Sequence, residues 1–553
     1  MKNRKTGLLL KLTTGFMFIL AALCLSPRTG KTTEYSGQPL IRFSSPWFTG
    51  SANCGICHDL LVDEKGNSVS IKSHWRSTMM ANAANDPLWM TKVISEIRRN
   101  PALKKLIEKK CAACHMPMAE LEAERTEGPI AIKPGFADPD NKLHKAAMDG
   151  VSCSLCHQIK ADNLGRPASF SGQYAIDRKG AKPERKIYGP HQKPSQQIMR
   201  SSVGYTVVQG KQTTDSGLCA TCHTLYTPFV DAQGKVAGTF PEQTPYLEWQ
   251  ASIYSKQGAK STCQGCHMPM AQGRVQVAVP SGAPARENFA QHHFVGGNVT
   301  MLRLMRQNIP ALKLTASSAD FNATIKRTIK QLQDKTARIK IIKVRREGTR
   351  LTADVEVSNM AGHKFPTGIP GRRAWIHFSV RDKAGNILFE SGRPLKGDLI
   401  AGNDNDVNIN TYEPHYEVIT NPEQVQIYET IMANSDGRVT YTLLRAASFL
   451  KDNRLLPRGF NKYKAAADIK VYGRASTDRN FTGKGDITTY KVKLKTSSPG
   501  LIQAELLYSP VSPAFVMDLE KDAADPLVKN FIKHWQETDR SPVQVAVTEH
   551  KML

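Results

Sequence analysis

Cysteine is scarce outside one kind of motif. Eleven cysteines are present; apart from Cys24 near the N-terminus, none is left over for a structural disulfide. Aromatic residues are few, at 7% of the chain. No low-complexity segment occurs. Neither helix-turn-helix nor zinc-finger spacing is found, nor a compact Arg/Lys block interleaved with aromatics, so no nucleic-acid partner is expected. The longest apolar run near the start, Leu12 to Leu25, is too short to span a bilayer comfortably. It follows Lys2, Arg4 and Lys5, the pattern of an export signal. Residues 1–27 therefore read as a signal peptide or N-terminal anchor. No clean A-x-A cleavage site follows, which leaves membrane anchorage open, and Leu23 fits poorly before a lipidated Cys24. The chain is expected to be exported, to a bacterial periplasm or outer surface. Acidic residues are outnumbered by basic ones, 49 against 75, for a formal charge of +26. Such a surplus points to an anionic surface, acidic protein partners, or an acidic cofactor held inside.

What is present is a repeated motif. Ten cysteines fall into five C-x-x-C-H units: Cys54, Cys57 and His58; Cys111, Cys114 and His115; Cys153, Cys156 and His157; Cys219, Cys222 and His223; Cys263, Cys266 and His267. Two cysteines one helical turn apart can add covalently to both vinyl groups of one haem, and the adjacent histidine then reaches the iron. Zinc sites usually take two such pairs, and five pairs cannot be shared out evenly. Thiol redox pairs and disulfides do not need the histidine. The motifs therefore imply five covalently attached haem c groups. Their propionates would offset about ten positive charges, some through arginine and lysine pairs.

At 553 residues two or more domains are expected. The motifs occupy Cys54 to His267, separated by helices and Gly/Pro-rich loops. Apolar residues recur at helical spacing from Leu88 to Lys110, with Pro101 as a break, and again from Val299 to about Lys335. Beyond that, "RIKIIKVRREGTRLTADVEVSN", "AWIHFSVRDKAGNILFESG" and "LIQAELLYS" alternate in strand fashion around turns. The expected fold class is α+β: a mostly helical and irregular haem domain, residues 28–337, then a β-sandwich-like domain, residues 338–553.

Fifteen histidines leave ten for the far sides of five irons. A distal ligand makes a six-coordinate iron suited to electron transfer; a missing one leaves an open iron suited to catalysis. His144, His191, the adjacent His292 and His293, and His363 in "AGHKFPTG" are the candidates, with His415 in reserve. His74 competes with Met79 and Met80 after the first motif. His377, on an alternating strand, reads as packing.

These stretches resemble multihaem c-type cytochromes of the hydroxylamine oxidoreductase and pentahaem nitrite reductase superfamily. They are nearest to the tetrahaem cytochromes that accept electrons from hydroxylamine oxidoreductase, with an added C-terminal β domain. The resemblance is carried by "CGICH … HWRSTMMANAANDPLW", "CAACHMPM", "GVSCSLCH", "YGPHQKP", "LCATCHTLYT", "CQGCHMPM" and "HHFVGGN". It implies Met80 rather than Met79 or His74 as a ligand, and His292 rather than His293. Two departures stand out: no motif ends in the lysine of the nitrite reductases, and Gln212 stands where some relatives have a histidine.

The leading expectation is an electron-transfer cytochrome serving other redox proteins. These would be cytochromes, or quinol-oxidising or terminal reductase complexes, with acidic docking surfaces. The alternatives are an oxidoreductase acting on a small nitrogen or sulfur species at one open haem, and a structural subunit of a multihaem wire or respiratory complex.

Overall fold

Proline breaks a helix because it lacks the N–H and its ring clashes with the preceding turn. The amphipathic run before the second motif accordingly folds as two helices, Pro87–Arg99 and Lys104–His115, with the break at Asn100 and Pro101. The first begins with Pro87 behind Asp86, whose side chain accepts the Leu88 and Trp89 N–H groups. The structure is a computed structural model, and it describes residues 33–279, 283–495 and 498–552. The signal or anchor at residues 1–27 lies outside the described residues. None of the described helices is long and apolar enough to cross a membrane.

The run after the last motif is also split, into Val299–Gln307 and Ser318–Lys335. A capping box of Ser317 and Asp320 starts the second. Helix ends and strand begins within two residues. β1 (Ala337–Glu347) and β2 (Arg350–Asn359) form a hairpin, followed by β3 (Arg373–Asp382), β4 (Ile387–Ser391), β5 (Val418–Ile419), β6 (Ile427–Ala433), β7 (Ser448–Asp452), β8 (Asp486–Lys493), β9 (Pro499–Ser509) and β10 (Val543–Lys551). They make two sheets. One runs β7-β6-β3-β9-β10, with β4 paired beside β6 on the same edge of β3; the other runs β5-β8-β2-β1. The mixed α+β class with its C-terminal sheets is therefore as the change of period implied.

Alternation decides which face is inside. Leu351, Ala353, Val355 and Val357 of β2 are all buried, as are Ile376, Phe378 and Val380 of β3. The sheets meet at Phe378 and Tyr490, stacked at 3.9 Å and 12°. Residues Tyr35–Leu553 form one unit. Two helices after β9, Pro513–Glu520 and Pro526–Glu537, return to the helical half, where Arg99 pairs with Asp518 at 2.6 Å and Asp522 at 2.8 Å.

His377 corrects the sequence reading. It does not merely pack: its Nδ1 faces Glu505 at 2.8 Å and its Nε2 faces Glu390 at 3.0 Å. Burial pulls its imidazole down, but the hydrogen bonds and charges of the two carboxylates outweigh that and hold it above its ordinary 6.5. The same contact, with His377 as the larger influence over burial, holds Glu505 below its ordinary 4.5.

Two outcomes follow. Phe378→Ala should lower stability by about 3–5 kcal/mol in a denaturant melt followed by circular dichroism. His377→Gln should cost most between the ordinary values of 4.5 and 6.5. A raised histidine contributes fully below its unfolded value and loses that contribution as pH climbs through its folded one; the lowered Glu505 loses its share as pH falls. Thermal melts of both proteins from pH 4 to 9 would show the gap narrowing at either end.

Candidate functional site

A helix meets each motif: Lys104–His115, Cys153–Cys156, Ser216–His223 and Cys263–His267 hold both cysteines of theirs, and Ser51–Cys54 ends at the first cysteine of the first motif, which continues as a turn. Local sequence builds them. Asp215 accepts the Gly217 N–H and Thr262 accepts the Gly265 N–H, so the fourth and fifth start at side-chain caps. One turn then puts the two cysteines of each motif on one face. None of the ten is in a disulfide.

Thiol contacts run between motifs. Cys54 pairs with Cys153, Cys114 with Cys222, and Cys219 with Cys263. Cys156 also feels the charge of Cys222. The motifs thus follow the order first, third, fourth, with the second and fifth both against the fourth. Burial pushes the Cys156 thiol up to about 12 and Cys111 higher still. That is unlike a reactive redox thiol, which is held low; Cys153, Cys222 and Cys263, each hydrogen-bonded to a thiol of another motif, are brought down instead, Cys263 to about 7. Gly172 has a left-handed backbone, and a Cβ there would lie 3.3 Å from Cys114 Sγ, so the chain passes close against the second motif.

The histidines share one arrangement. Nδ1 of His58 faces the carbonyl of Val277 at 2.7 Å, that of His115 faces Ala83 at 3.0 Å, and that of His157 faces Tyr188 at 2.6 Å. His267 bonds the carbonyl of Val295 in the same way. A carbonyl can only accept, so the proton sits on Nδ1 and the Nε2 lone pair is free. Burial lowers all of these imidazoles, His115 and His267 to about 4, which keeps them neutral. They are enclosed by protein yet retain accessible surface, so they line clefts. His223 is also lowered by burial, with Arg372 beside it, but among the described residues no carbonyl holds its Nδ1.

Two candidate distal histidines face motif histidines. His292 lies 6.4 Å from His157 between ring centres, at 25°; His363 lies 6.2 Å from His267, at 13°. Two metal–nitrogen bonds of about 2 Å each, plus the two half-rings, span about that distance. Both distal rings again direct Nδ1 to carbonyls, Ala290 at 3.2 Å and Lys364 at 2.8 Å. The neighbouring His293 turns elsewhere and meets buried His74 edge to face at 4.3 Å.

The remaining candidates are not brought opposite a motif ring by any ring contact among the described residues. His144 does have the ligand-like bond, Nδ1 to the Phe136 carbonyl at 3.0 Å. His191 sits in a loop tied by Arg286 to the Lys193 carbonyl at 3.0 Å, near the hairpin beyond which Val277 takes His58. Met80 stands between the second and third motifs: its carbonyl accepts the Val151 N–H, and Ala83 accepts His115. Met79 packs among Leu88, Leu302 and Leu312. Gln212 is buried and donates to the Ile159 carbonyl at 3.2 Å.

Sequence reading missed Trp89, which lies flat on His115 at 4.3 Å and 3°. Nothing marks it, because a tryptophan at helical spacing reads as core.

His415 belongs elsewhere. It is buried in the sandwich with Asp478 and Asp486, a grouping with the composition of a metal site. Hydrogen-bond direction argues otherwise. Gln426 and Asn453 both donate to its Nδ1, at 2.9 and 3.1 Å, and their oxygens are committed to the Tyr416 and Glu429 N–H groups. The proton is then on Nε2, aimed at Asp478 Oδ2 at 3.0 Å. A donor there leaves no lone pair for a metal.

The residues at the five motifs fit haem c: paired thiols, neutral histidines, four of them with Nε2 left free, and two opposed pairs at iron-spanning distance. No family model and no curated protein matches the chain. A solved structure described as a penta-heme cytochrome c552, from Thermochromatium tepidum, aligns with a TM-score of 0.48 at 17% identity, covering 93% of this chain and 100% of that one. Likeness at that level does not establish kinship.

Proposed function

We propose that the chain is an exported pentahaem c-type cytochrome that passes single electrons between redox partners. The observation that carries this reading is the pairing of His157 with His292 and of His267 with His363 across gaps of 6.4 and 6.2 Å, beside five complete attachment motifs. When bound, haem supplies a reversible one-electron iron couple. The chain's own residues do the rest. Cysteine pairs would hold each group at a fixed place, carbonyls orient the histidines, and His157 with His292 and His267 with His363 would each hold one iron between them. An iron held by two imidazoles would serve electron transfer rather than substrate chemistry. His144, His191 and Met80 are proposed as further ligands, His191 opposite His58. The thiol contacts support a branched path with the fourth motif as its hub. The surplus of 26 positive charges supports docking of acidic partners.

A second reading, an oxidoreductase working at one open iron, is favoured by the fourth motif alone. Among the described residues His223 lacks the carbonyl support of the other four, and cationic Arg372 lies beside it.

The test is magnetic resonance on the oxidised full-length protein, with haem counted by intact mass. Five attached groups are expected. His292→Ala and His363→Ala should each turn one haem in five from low-spin to high-spin without loss of attachment. A wild-type high-spin signal of one full equivalent that responds to nitrite or hydroxylamine would instead favour the enzyme.

A further inference from the structure

We propose that Glu248 is the positioning residue for His363. The proposal rests on the reading of His363 as the ligand opposite His267. Glu248 lies on the helix Pro245–Gln250, between the fourth and fifth motifs, whereas His363 lies on the loop leaving β2, so the carboxylate belongs to one half of the protein and the ligand to the other.

One peptide plane does the holding. The carbonyl of His363 accepts from Asn359 Nδ2 at 2.7 Å. The N–H on the other side of that same peptide bond, that of Lys364, donates to Glu248 Oε2 at 3.0 Å. The next carbonyl, that of Lys364, takes the His363 ring through Nδ1. Thr367 Oγ1 also donates to Glu248 Oε2, at 2.7 Å, so one carboxylate oxygen pins both ends of the segment from His363 to Thr367. Turning the ring about its own bonds breaks the Nδ1 contact, and moving the backbone that carries it away from His267 breaks the others together.

Glu248 is itself fixed by charge. Its Oε1 meets Arg454 at 2.9 Å; Arg454 forks onto Asp452 at 2.8 and 2.9 Å; and Asp452 takes the Lys364 ammonium at 2.7 Å. Two carboxylates and two cations, all buried, balance one another. Buried clusters of this kind hold geometry strongly, because removing one member leaves an uncompensated charge. Packing leaves no slack either: a Cβ on Gly362 would come within 3.0 Å of Trp249 on the same helix as Glu248. The near-parallel rings of His267 and His363 are the product of this clamp. The angle between axial ring planes sets the iron's magnetic anisotropy, so a loosened clamp has a signature that lost stability alone lacks.

The experiment uses full-length holoprotein carrying Glu248→Ala, Glu248→Gln or Thr367→Val, with His363→Ala as reference. Glu248→Ala should alter the resonance of one haem in five, shifting its anisotropy or making it high-spin. Cyanide should bind that iron about tenfold to a hundredfold faster, the usual scale for removing a group that orients a metal ligand. Glu248→Gln keeps an acceptor for the N–H and hydroxyl and should restore much of the wild-type signal. Thr367→Val should show the cyanide effect more weakly. If His363→Ala changes the spectrum while Glu248→Ala, with five haems attached, matches wild type in resonance and cyanide kinetics, the positioning role is overturned and the ligand reading stands. Should His363→Ala also match wild type, the ligand reading falls, and this proposal with it. Where Glu248→Ala cannot be recovered folded, wild-type resonance and cyanide kinetics in Thr367→Val overturn the proposal.

Discussion

A hydrogen bond from an imidazole Nδ1–H to a backbone carbonyl recurs at His58, His115, His144, His157, His267, His292 and His363, and much of the molecule is organised around supplying it. The bond does two things at once. It fixes the tautomer, leaving Nε2 as a lone pair, and it fixes the plane of the ring. Burial keeps His58, His115, His157, His267, His292 and His363 neutral, and a main-chain carbonyl satisfies the ring N–H without adding a charge. The carbonyls of Ala83, Phe136 and Tyr188 come from segments between the motifs; those of Val277, Ala290 and Val295 follow the fifth motif, and that of Lys364 lies on the loop leaving β2. Those segments, irregular as they are, are therefore part of the site.

The same constraint explains why the chain is not simply a string of motifs with a sandwich appended. Val277 and Val295, which hold His58 and His267, sit in the stretch around the last motif and beyond it, so the first motif is complete only when the fifth region has folded back on it. The sandwich adds the loop carrying His363, clamped by Glu248, Lys364, Asp452 and Arg454. It also sends two helices back to Arg99. Buried ion pairs are a costly way to gain stability, and hydrophobic contacts would serve as well for adhesion alone. Their directionality suits the fixing of one loop at one height and angle.

Polar groups in the sandwich illustrate the difference between composition and geometry. His415 with two aspartates has the composition of a metal site, but the amides on its Nδ1 reverse the polarity of the other nitrogen. His377, on a strand whose alternation marks it only as facing one side, finds a carboxylate on each neighbouring strand. In both cases the deciding partners are remote in sequence and adjacent only through sheet register.

Sequence by itself determined the five C-x-x-C-H motifs, each written within five consecutive residues, and the α-to-β change near residue 337, because hydrophobic period is a local property. It also narrowed the opposed histidines to a handful by loop context. The resemblance favoured His292 over His293, but only the tertiary structure decided the partners, His157 for His292 and His74 for His293, since adjacent residues share a sequence context but not a direction. The same holds for the order of the motifs in space, where the fourth stands against the second and the fifth, and for Glu248, whose helix looks ordinary until the His363 loop lies on it. Each of these depends on which distant segments meet, and that is settled by packing of the whole chain, not by any window of it.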